Sequence, residues 1–502
     1  MKKRFPLCAI FLMIGVIAFP LAVAAQSFVN SSLEIQGIGT NESIVPFWMR
    51  SNQFGNVPNE GLSAAAVGSL YKNYADGSST TFLKNLDWAF GFQGRANTGK
   101  KTNLLLIEAY AKLKLNIFEF KAGRSKDIMG IAGDQSLSSG NFSVSGNALG
   151  IPKLELSVPE YFVLPIFEGL FALKGQVAHG SLGRTEVSEQ PLHPIRHAFP
   201  ITYFHQKSLY GRIGKANSKL KAYAGFNHQV YWGNEKDVYG TNFTLNTSQT
   251  YFHVLVGKAY ENKGKILSSK IGNQIGSIDL GFEYDFKNFK LNGYRQNFYD
   301  VGALSKLANI ADGLNGISLE NKIMSKTQLT WKKILFEFLH TKNQAGYPDS
   351  KPTKSGDEDY YNNDYYKKGW SYYGLGLGTP FVTARHNARE GQLAAPGDYF
   401  INNRVVALHT GLEMGLADWV FKLKLSYSWN YGTFATSPYG NTTGTIQHPS
   451  FGNFEKVKQL SGYFTAERKL SPNYFAGIDL AFDWGRLLDN SMGSILKVRR
   501  QF

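Results

Sequence analysis

The residue types best suited to bind another molecule are concentrated around position 360. Aspartate, asparagine, lysine, tyrosine and tryptophan fill all but one of positions 359–370. Aromatic rings stack on the C–H faces of sugars, while amides, carboxylates and ammonium groups bond hydroxyls and carboxylates. The segment is therefore predicted to contact carbohydrate. The alternative is an aromatic girdle with a solvated acidic tip that could hold calcium. The candidate residues are Asp359, Tyr360, Tyr361, Asn362, Asn363, Tyr365, Tyr366, Lys367, Lys368 and Trp370.

Motifs of known catalytic types do not accompany these residues. The sequence contains no Gly-x-Ser-x-Gly turn, no His-Glu-x-x-His pair and no glycine-rich phosphate loop. Among its histidines, His193 and His197 are spaced like metal ligands, but their proline-rich surroundings are typical of a polar surface loop. We therefore predict no catalysis, no bound metal and no cofactor.

The elements that must position the candidate residues are β-strands, because hydrophobicity repeats with a period of two. Residues 86–93, 278–285, 421–430 and 474–485 alternate large apolar side chains with small or polar ones. Successive side chains of a strand point to opposite faces. Each of these segments is therefore predicted to have one apolar and one polar face.

The strand pattern favours a membrane barrel over a soluble β-sandwich or a tandem of sandwiches. The strands are about ten residues long, as a tilted strand that crosses a bilayer requires. Charges such as Lys422 and Asp479 lie in mid-strand, where a wet lumen tolerates them and a sandwich core does not. Aromatic residues also end several apolar faces, as interfacial girdles do; they are Tyr231, Trp232, Tyr427, Trp429 and Trp484.

Connections of two lengths alternate along the chain. Short turns occur at residues 286–288, 414–418 and 470–473. Long polar stretches lie at about 182–205, 233–249, 298–316, 343–401 and 431–454, and the last of these is expected to serve the same surface as the segment near position 360. Bacterial outer-membrane barrels show this asymmetry. The predicted fold is an all-β, transmembrane, antiparallel outer-membrane barrel of about 16–18 strands with long extracellular loops.

The two ends of the chain predict its export. A basic start, an apolar run and small residues near position 25 indicate a signal peptide over residues 1–25, cleaved to leave one barrel domain over 26–502. Beyond it no apolar run is long enough for a membrane helix, and Cys8 is the single cysteine. The terminal Phe502 is the kind of signal that barrel insertion machinery reads. The predicted location is the outer membrane of a Gram-negative bacterium.

The formal charge of +16 predicts acidic partners. It falls by three if the basic residues of the signal are removed. An exported protein rarely meets nucleic acid, so outer-membrane lipid, lipopolysaccharide and an acidic polysaccharide are the predicted partners. His179, His205 and His228 are expected in the lumen or in loops. The lysines predicted on polar, lumen-facing strand positions are Lys112, Lys114, Lys174, Lys219, Lys221, Lys422 and Lys424.

Several segments resemble the Wzi-type capsule assembly proteins. They are residues 149–160, 205–214 and 224–233, with 361–363 and 369–372 also similar. The resemblance implies an outer-membrane barrel of about eighteen strands and a lectin-like role, which is to hold capsular or exopolysaccharide at the cell surface. Enterobacterial members carry a periplasmic helical bundle, whereas here residues 33–39 already read as a strand.

Three functional hypotheses follow from these features of the sequence. The leading hypothesis is a non-enzymatic barrel that binds surface polysaccharide through a basic lumen and aromatic loops. The alternative is an anion-preferring porin or diffusion channel, in which the same lysines line a pore. A barrel enzyme such as an outer-membrane hydrolase is third, because the catalytic constellation is missing.

Overall fold

The computed structural model describes residues 29–74, 86–100, 102–131, 134–188, 199–300, 304, 307–325, 327–344, 358–437 and 451–502. The predicted signal peptide and the pair His193 and His197 lie outside these residues. None of the described helices is long and apolar enough to cross a membrane.

The described chain contains one closed antiparallel sheet of eighteen strands. The first strand pairs with the last, and Ile35 lies opposite Val498 at this seam. The strands are Val29–Thr40 (β1), Ser63–Lys72 (β2), Leu86–Gly99 (β3), Asn103–Leu115 (β4), Phe118–Arg124 (β5), Lys153–Val163 (β6), Phe171–Arg184 (β7), Ile201–Ile213 (β8), Leu220–Trp232 (β9), Asn273–Asp285 (β10), Phe289–Asp300 (β11), Gly313–Asn321 (β12), Thr330–His340 (β13), Val405–Leu416 (β14), Trp419–Asn430 (β15), Val457–Ser471 (β16), Tyr474–Gly485 (β17) and Ser491–Gln501 (β18). The predicted barrel is confirmed at the upper end of the expected strand number.

The predicted period of two separates the two faces of the barrel wall. In β17, Leu480 and Phe482 are exposed on the outside, while Asp479 and Asp483 are buried inside. A soluble protein would show the opposite arrangement, with the apolar side chains buried. An outer face of exposed apolar residues is the surface that a bilayer covers.

Connections of contrasting length lie at the two ends of the barrel. The turns after β4, β10, β14 and β16 are short. They lie at the same end of the barrel as the start of β1 and the end of β18. Most of the long connections lie at the opposite end, as predicted for extracellular loops. The short helices Phe47–Arg50 (α1) and Glu235–Tyr239 (α2) and the helix Thr247–Val256 (α3) belong to this end.

Three extracellular connections fold into the barrel. They comprise residues 41–62 with α1, the described part of 125–152, and residues 358–404. Their apolar side chains form one buried cluster with inward-facing wall residues such as Phe298 and Leu335. Polar contacts fix them to the wall, for example from the Trp48 indole nitrogen to Ser426 Oγ at 2.9 Å. We call these three segments the plug.

A fourth connection, residues 233–272, folds back over the outside of the wall. It contains α2, α3 and a hairpin of Ala259–Asn262 with Ile266–Lys270. Asn246 and Gln249 form a capping box at the start of α3, and Gly257 ends it with a φ of 64°. Its apolar side chains pack on Val230 and Trp232, which face outward from β9. We call residues 233–272 the flap.

Candidate functional site

The predicted carbohydrate-contacting segment divides into a buried part and an exposed part. Tyr360, Tyr361 and Trp370 are fully buried in the plug, and Tyr366 is nearly so. Asn363 and Tyr365 are half-buried, whereas Lys367 and Lys368 are exposed. The first group therefore cannot contact a polymer outside the barrel in this conformation.

The buried tyrosines anchor the segment by hydrogen bonds. The Tyr360 hydroxyl donates to Asp312 Oδ2 at 2.9 Å and accepts from Asn309 Nδ2 at 2.8 Å. The Tyr361 hydroxyl donates to the Phe142 carbonyl and accepts from the Thr379 amide. Because a buried hydroxyl without a partner is costly, these bonds fix the path of the chain through the interior.

Trp370 joins the plug to the wall. Its ring stacks on Tyr231 with centroids 4.2 Å apart, and its indole nitrogen donates to the Ser143 carbonyl at 2.8 Å. Tyr231 was predicted to belong to an outer girdle, but it faces the interior. Trp232 has the outward orientation and is covered by the flap. The girdle prediction is therefore wrong for this pair.

The exposed part of the segment lies at the extracellular rim beside the flap. The Tyr365 ring packs edge-on against Tyr239 at 5.5 Å, and their hydroxyls bond to each other. Lys367 Nζ lies 3.1 Å from Glu186. We call Tyr239, Tyr365, Lys367 and Glu186 the tyrosine rim cluster. It offers aromatic faces and hydrogen-bonding groups on one surface, which is the combination that sugars require.

Two aspartates are held close together at the base of the rim. Asp359 accepts from Asn403 and Asn362, and Asp398 accepts from Thr433 Oγ1 at 2.7 Å. Burial and the neighbouring Asp398 raise the pKa of Asp359, and burial also raises the pKa of Asp398. Across the described residues, His, Cys, Asp and Glu side chains form no group of three or more that could hold a metal ion.

A cluster of cations around Tyr431 was not predicted. Lys342 Nζ lies 4.4 Å and Lys456 Nζ 5.4 Å from the centre of the Tyr431 ring, and Arg404 lies over Phe434. Burial, Lys456 and Arg404 lower the pKa of Lys342. We call Lys342, Arg404, Lys456 and Tyr431 the basic rim cluster.

The signal for this cluster was present in the sequence. Its residues lie within two positions of the extracellular ends of β13, β14, β15 and β16. These four strands are consecutive neighbours in the sheet, so their ends meet at one edge of the barrel. Strand boundaries accurate to one or two residues would have revealed it, and such boundaries are the least certain part of a sequence-based assignment.

Most of the predicted lumen lysines do lie inside the barrel, but several are paired with carboxylates. Lys112 lies 3.2 Å from Glu119, Lys221 3.0 Å from Glu283, and Lys422 3.7 Å from Glu413. Three others lie over aromatic rings, namely Lys114 over Tyr74, Lys174 over Tyr161 and Lys424 over Trp48. Lys219 lies in the turn before β9 rather than in a strand. Three of the predicted lumen lysines are therefore paired with carboxylates, and three others lie over aromatic rings.

The fold and the plug together define an outer-membrane β-barrel whose interior is occupied by its own loops. Residues 63–393 match the family model described as capsule assembly protein Wzi. The chain belongs to this family, as the resemblance of its central segments indicated, and its location is the outer membrane of a Gram-negative bacterium. No curated protein sequence matches the chain.

Solved structures share the barrel fold. Wzi of Escherichia coli, described as an outer-membrane protein involved in group 1 capsule assembly and as a carbohydrate-binding β-barrel, has a TM-score of 0.53 at 11% identity. The match covers 99% of this chain and 89% of that protein. OccAB4 of Acinetobacter baumannii has a TM-score of 0.45 at 8% identity, covering 95% and 98% of the two chains. OprD of Pseudomonas aeruginosa has a TM-score of 0.43 at 9% identity, and the match covers 95% of this chain and 97% of that one. At such identities the likeness concerns the fold alone.

Proposed function

We propose that this protein binds an acidic capsular polysaccharide or exopolysaccharide at its extracellular rim, holds it at the cell surface, and catalyses no reaction. The observation that supports this proposal most strongly is the basic rim cluster. It places Lys342 and Lys456 over the Tyr431 ring and Arg404 over the Phe434 ring, at the end of the barrel that faces the medium.

The physical reason lies in the crowding of like charges. Burial lowers the pKa of Lys342, and the positive charges of Lys456 and Arg404 lower it further. A carboxylate on a sugar would relieve the repulsion between these charges, and Tyr431 supplies a face on which the sugar ring can stack. The tyrosine rim cluster adds a second contact for the same chain. Two weak contacts on one polymer bind more tightly than either alone.

The carbohydrate binding stated for the Escherichia coli protein supports this proposal through membership of the same family. Within the same proposal, the barrel's other partners are outer-membrane lipid, lipopolysaccharide and the insertion machinery. Phe502 would serve the last of these, because it follows β18 at the seam, where its amide bonds to the Ser31 carbonyl at 3.0 Å. A cleaved signal peptide over residues 1–25 remains a prediction.

The test is the surface phenotype of a deletion strain. Polysaccharide is measured separately in washed cells and in the medium, after complementation with the wild-type chain or with the double variant Lys342→Gln, Lys456→Gln. We expect the variant to leave polymer in the medium while total synthesis is unchanged. The matched control is Lys215→Gln, Lys469→Gln, which removes two charges at the opposite end of the barrel.

Two results would contradict the proposal. One is a deletion strain in which the cell-bound and shed fractions are both unchanged and the uptake of small anions falls, which would identify a diffusion channel. The other is a rim variant that restores retention as fully as the control variant does, which would exclude the basic rim cluster as the site.

A further inference from the structure

The outer wall changes from apolar to polar near the extracellular ends of β8, β9 and β10. Leu209, Phe226 and Ile278 are adjacent on these strands, face outward and are exposed. Two residues further toward the medium, the outward positions of β8 and β9 are Lys207 and His228. A change from apolar to polar side chains on the outer wall is the pattern expected where acyl chains give way to headgroups.

The flap lies directly above this boundary. Its Tyr251 ring packs on His179 at 5.4 Å, on His205 at 5.7 Å and on Trp232 at 5.5 Å. His179 and His205, which were expected in the lumen or in loops, therefore lie on the outer face of the wall. His228 faces outward as well, where it bonds to Gln274 at 2.9 Å.

Two lysines bond to the C-terminal end of α3, and one of them joins it to the wall. Lys207, from β8, donates to the Leu255 carbonyl, and Lys270, from the flap hairpin, donates to the Gly257 carbonyl. Cations at a helix C-terminus are favourable because the last carbonyls lack partners within the helix. The helix is thereby held at the level of the polar boundary.

The exposed surface of the flap has apolar side chains next to basic ones. Phe252 and Val256, one turn apart on α3, are 55% and 52% exposed. Lys258, Lys263 and Lys265 follow immediately and are exposed. Among residues 257–270 the sequence has one acidic side chain and four lysines. Apolar side chains next to lysines on a surface helix are typical of elements that lie in a membrane interface.

We propose that the flap is a lipopolysaccharide-binding element of the outer leaflet. Phe252 and Val256 enter the acyl-chain boundary, and Lys258, Lys263 and Lys265 bind the phosphate groups of the glycolipid. Lipid is favoured over polysaccharide because the lysines adjoin exposed apolar residues outside the barrel wall, at the height of the headgroups. This inference rests on the lipopolysaccharide partner named in the proposed function and assigns it a site, and it is independent of the polysaccharide proposed at the rim.

The first experiment measures the depth of α3. Cys8 is the single cysteine of the sequence, so Phe252→Cys in a Cys8→Ser chain takes one nitroxide label. The protein is reconstituted in bilayers that contain bis-phosphorylated lipid A, and the label's accessibility to oxygen and to a nickel chelate is measured. Leu280→Cys, on the apolar belt, and Tyr373→Cys, on the rim, are the reference positions. We expect Phe252 to resemble Leu280, and a result like that for Tyr373 would overturn the proposal.

The second experiment tests the phosphate contacts. The triple variant Lys258→Gln, Lys263→Gln, Lys265→Gln is expected to bind bis-phosphorylated lipid A at least about tenfold more weakly, since each lysine near an anionic surface contributes to binding. Binding of dephosphorylated lipid A should be equal for variant and wild type. The control is Lys215→Gln, Lys469→Gln. If the triple variant loses acidic polysaccharide and keeps lipid A, these lysines serve the polymer and the proposal fails.

Discussion

Tyr361 and Tyr365 show how far residue type alone determines a role. Both belong to the same aromatic segment, yet Tyr361 is buried in the plug and Tyr365 lies at the rim. The composition of the segment predicted a surface that binds sugar, and it could not distinguish the two positions. The difference comes from contacts with residues far away in sequence, such as Phe142 and Thr379.

Trp370 should contribute to stability more than to binding. We expect Trp370→Ala to destabilise the protein by about 3–5 kcal/mol, because it leaves a cavity beside Tyr231 and an unpaired Ser143 carbonyl. Urea unfolding followed by electrophoretic mobility measures the change. Tyr373→Ala is the matched control, because that ring is 71% exposed in the adjoining turn. Equal losses in the two variants would contradict the anchoring role.

Asp359 should make the plug sensitive to pH. Its folded-state pKa is raised above the ordinary value of about 3.9, so the folded state binds the proton more tightly than the unfolded state. The contribution of protonated Asp359 to the free energy of unfolding is therefore fully present below about pH 4. It is lost as the pH rises through the raised pKa. We expect the amides of residues 358–404 to be less protected at pH 8 than at pH 5, once exchange rates are corrected for the intrinsic pH dependence of amide exchange. Asp359→Asn should flatten this dependence, whereas an unchanged profile would exclude Asp359 as its source.

At the scale of elements, the strands follow from the sequence and the plug and flap do not. A period of two shows which residues share a face, but it does not show what covers that face. His205 is an example, because it lies on the same side of β8 as the apolar Leu209 and Ile213. That spacing was a readable signal that His205 faces outward. Its polarity suggested the lumen instead, and the covering flap could not be foreseen from local pattern.

Glu337 should hold the middle segment of the plug in place. It accepts from Ser138 Oγ at 2.6 Å and from the Ser139 amide at 2.7 Å. Glu337→Gln removes one hydrogen-bond acceptor, so we expect the backbone amides of residues 134–139 to exchange hydrogen faster. We also expect more frequent channel openings when the variant is inserted in planar bilayers. Glu413→Gln, another inward carboxylate, is the control and should leave both measurements near the wild-type values. Identical behaviour of the two variants would show that Glu337 has no special part in retaining the plug.

For the whole molecule, the net charge predicts an acidic partner, and it does not show where the charges lie. Pairs such as Lys221 with Glu283 neutralise inward lysines, and the rim gathers cations from the ends of separate strands. A total charge carries no information on such pairing. The fold, by contrast, could be predicted from the alternation of faces and of loop lengths, because both recur along most of the chain.

Binding at an exposed rim should depend on salt. The screening length is about 10 Å at 0.1 M and about 3 Å at 1 M ionic strength. We expect the purified protein to bind a uronic-acid polymer at low salt and to lose most of that binding at 1 M, with little affinity for neutral dextran under either condition. Light scattering or surface plasmon resonance measures it. Binding to both polymers that is insensitive to salt would point to stacking rather than charge.

The seam between β1 and β18 has a consequence for the order in which the molecule is built. At this seam Ile35 lies opposite Val498, and the Phe47 amide in α1, shortly after β1, bonds to Asp483 Oδ2 of β17 at 2.7 Å, across 436 positions of sequence. The first loop of the barrel is therefore made long before the strand that anchors it, and contacts of such separation form slowly. Until then the apolar strand faces have neither bilayer nor partner strands to cover them. The unfinished chain in transit, rather than the finished barrel, is thus the form most exposed to aggregation.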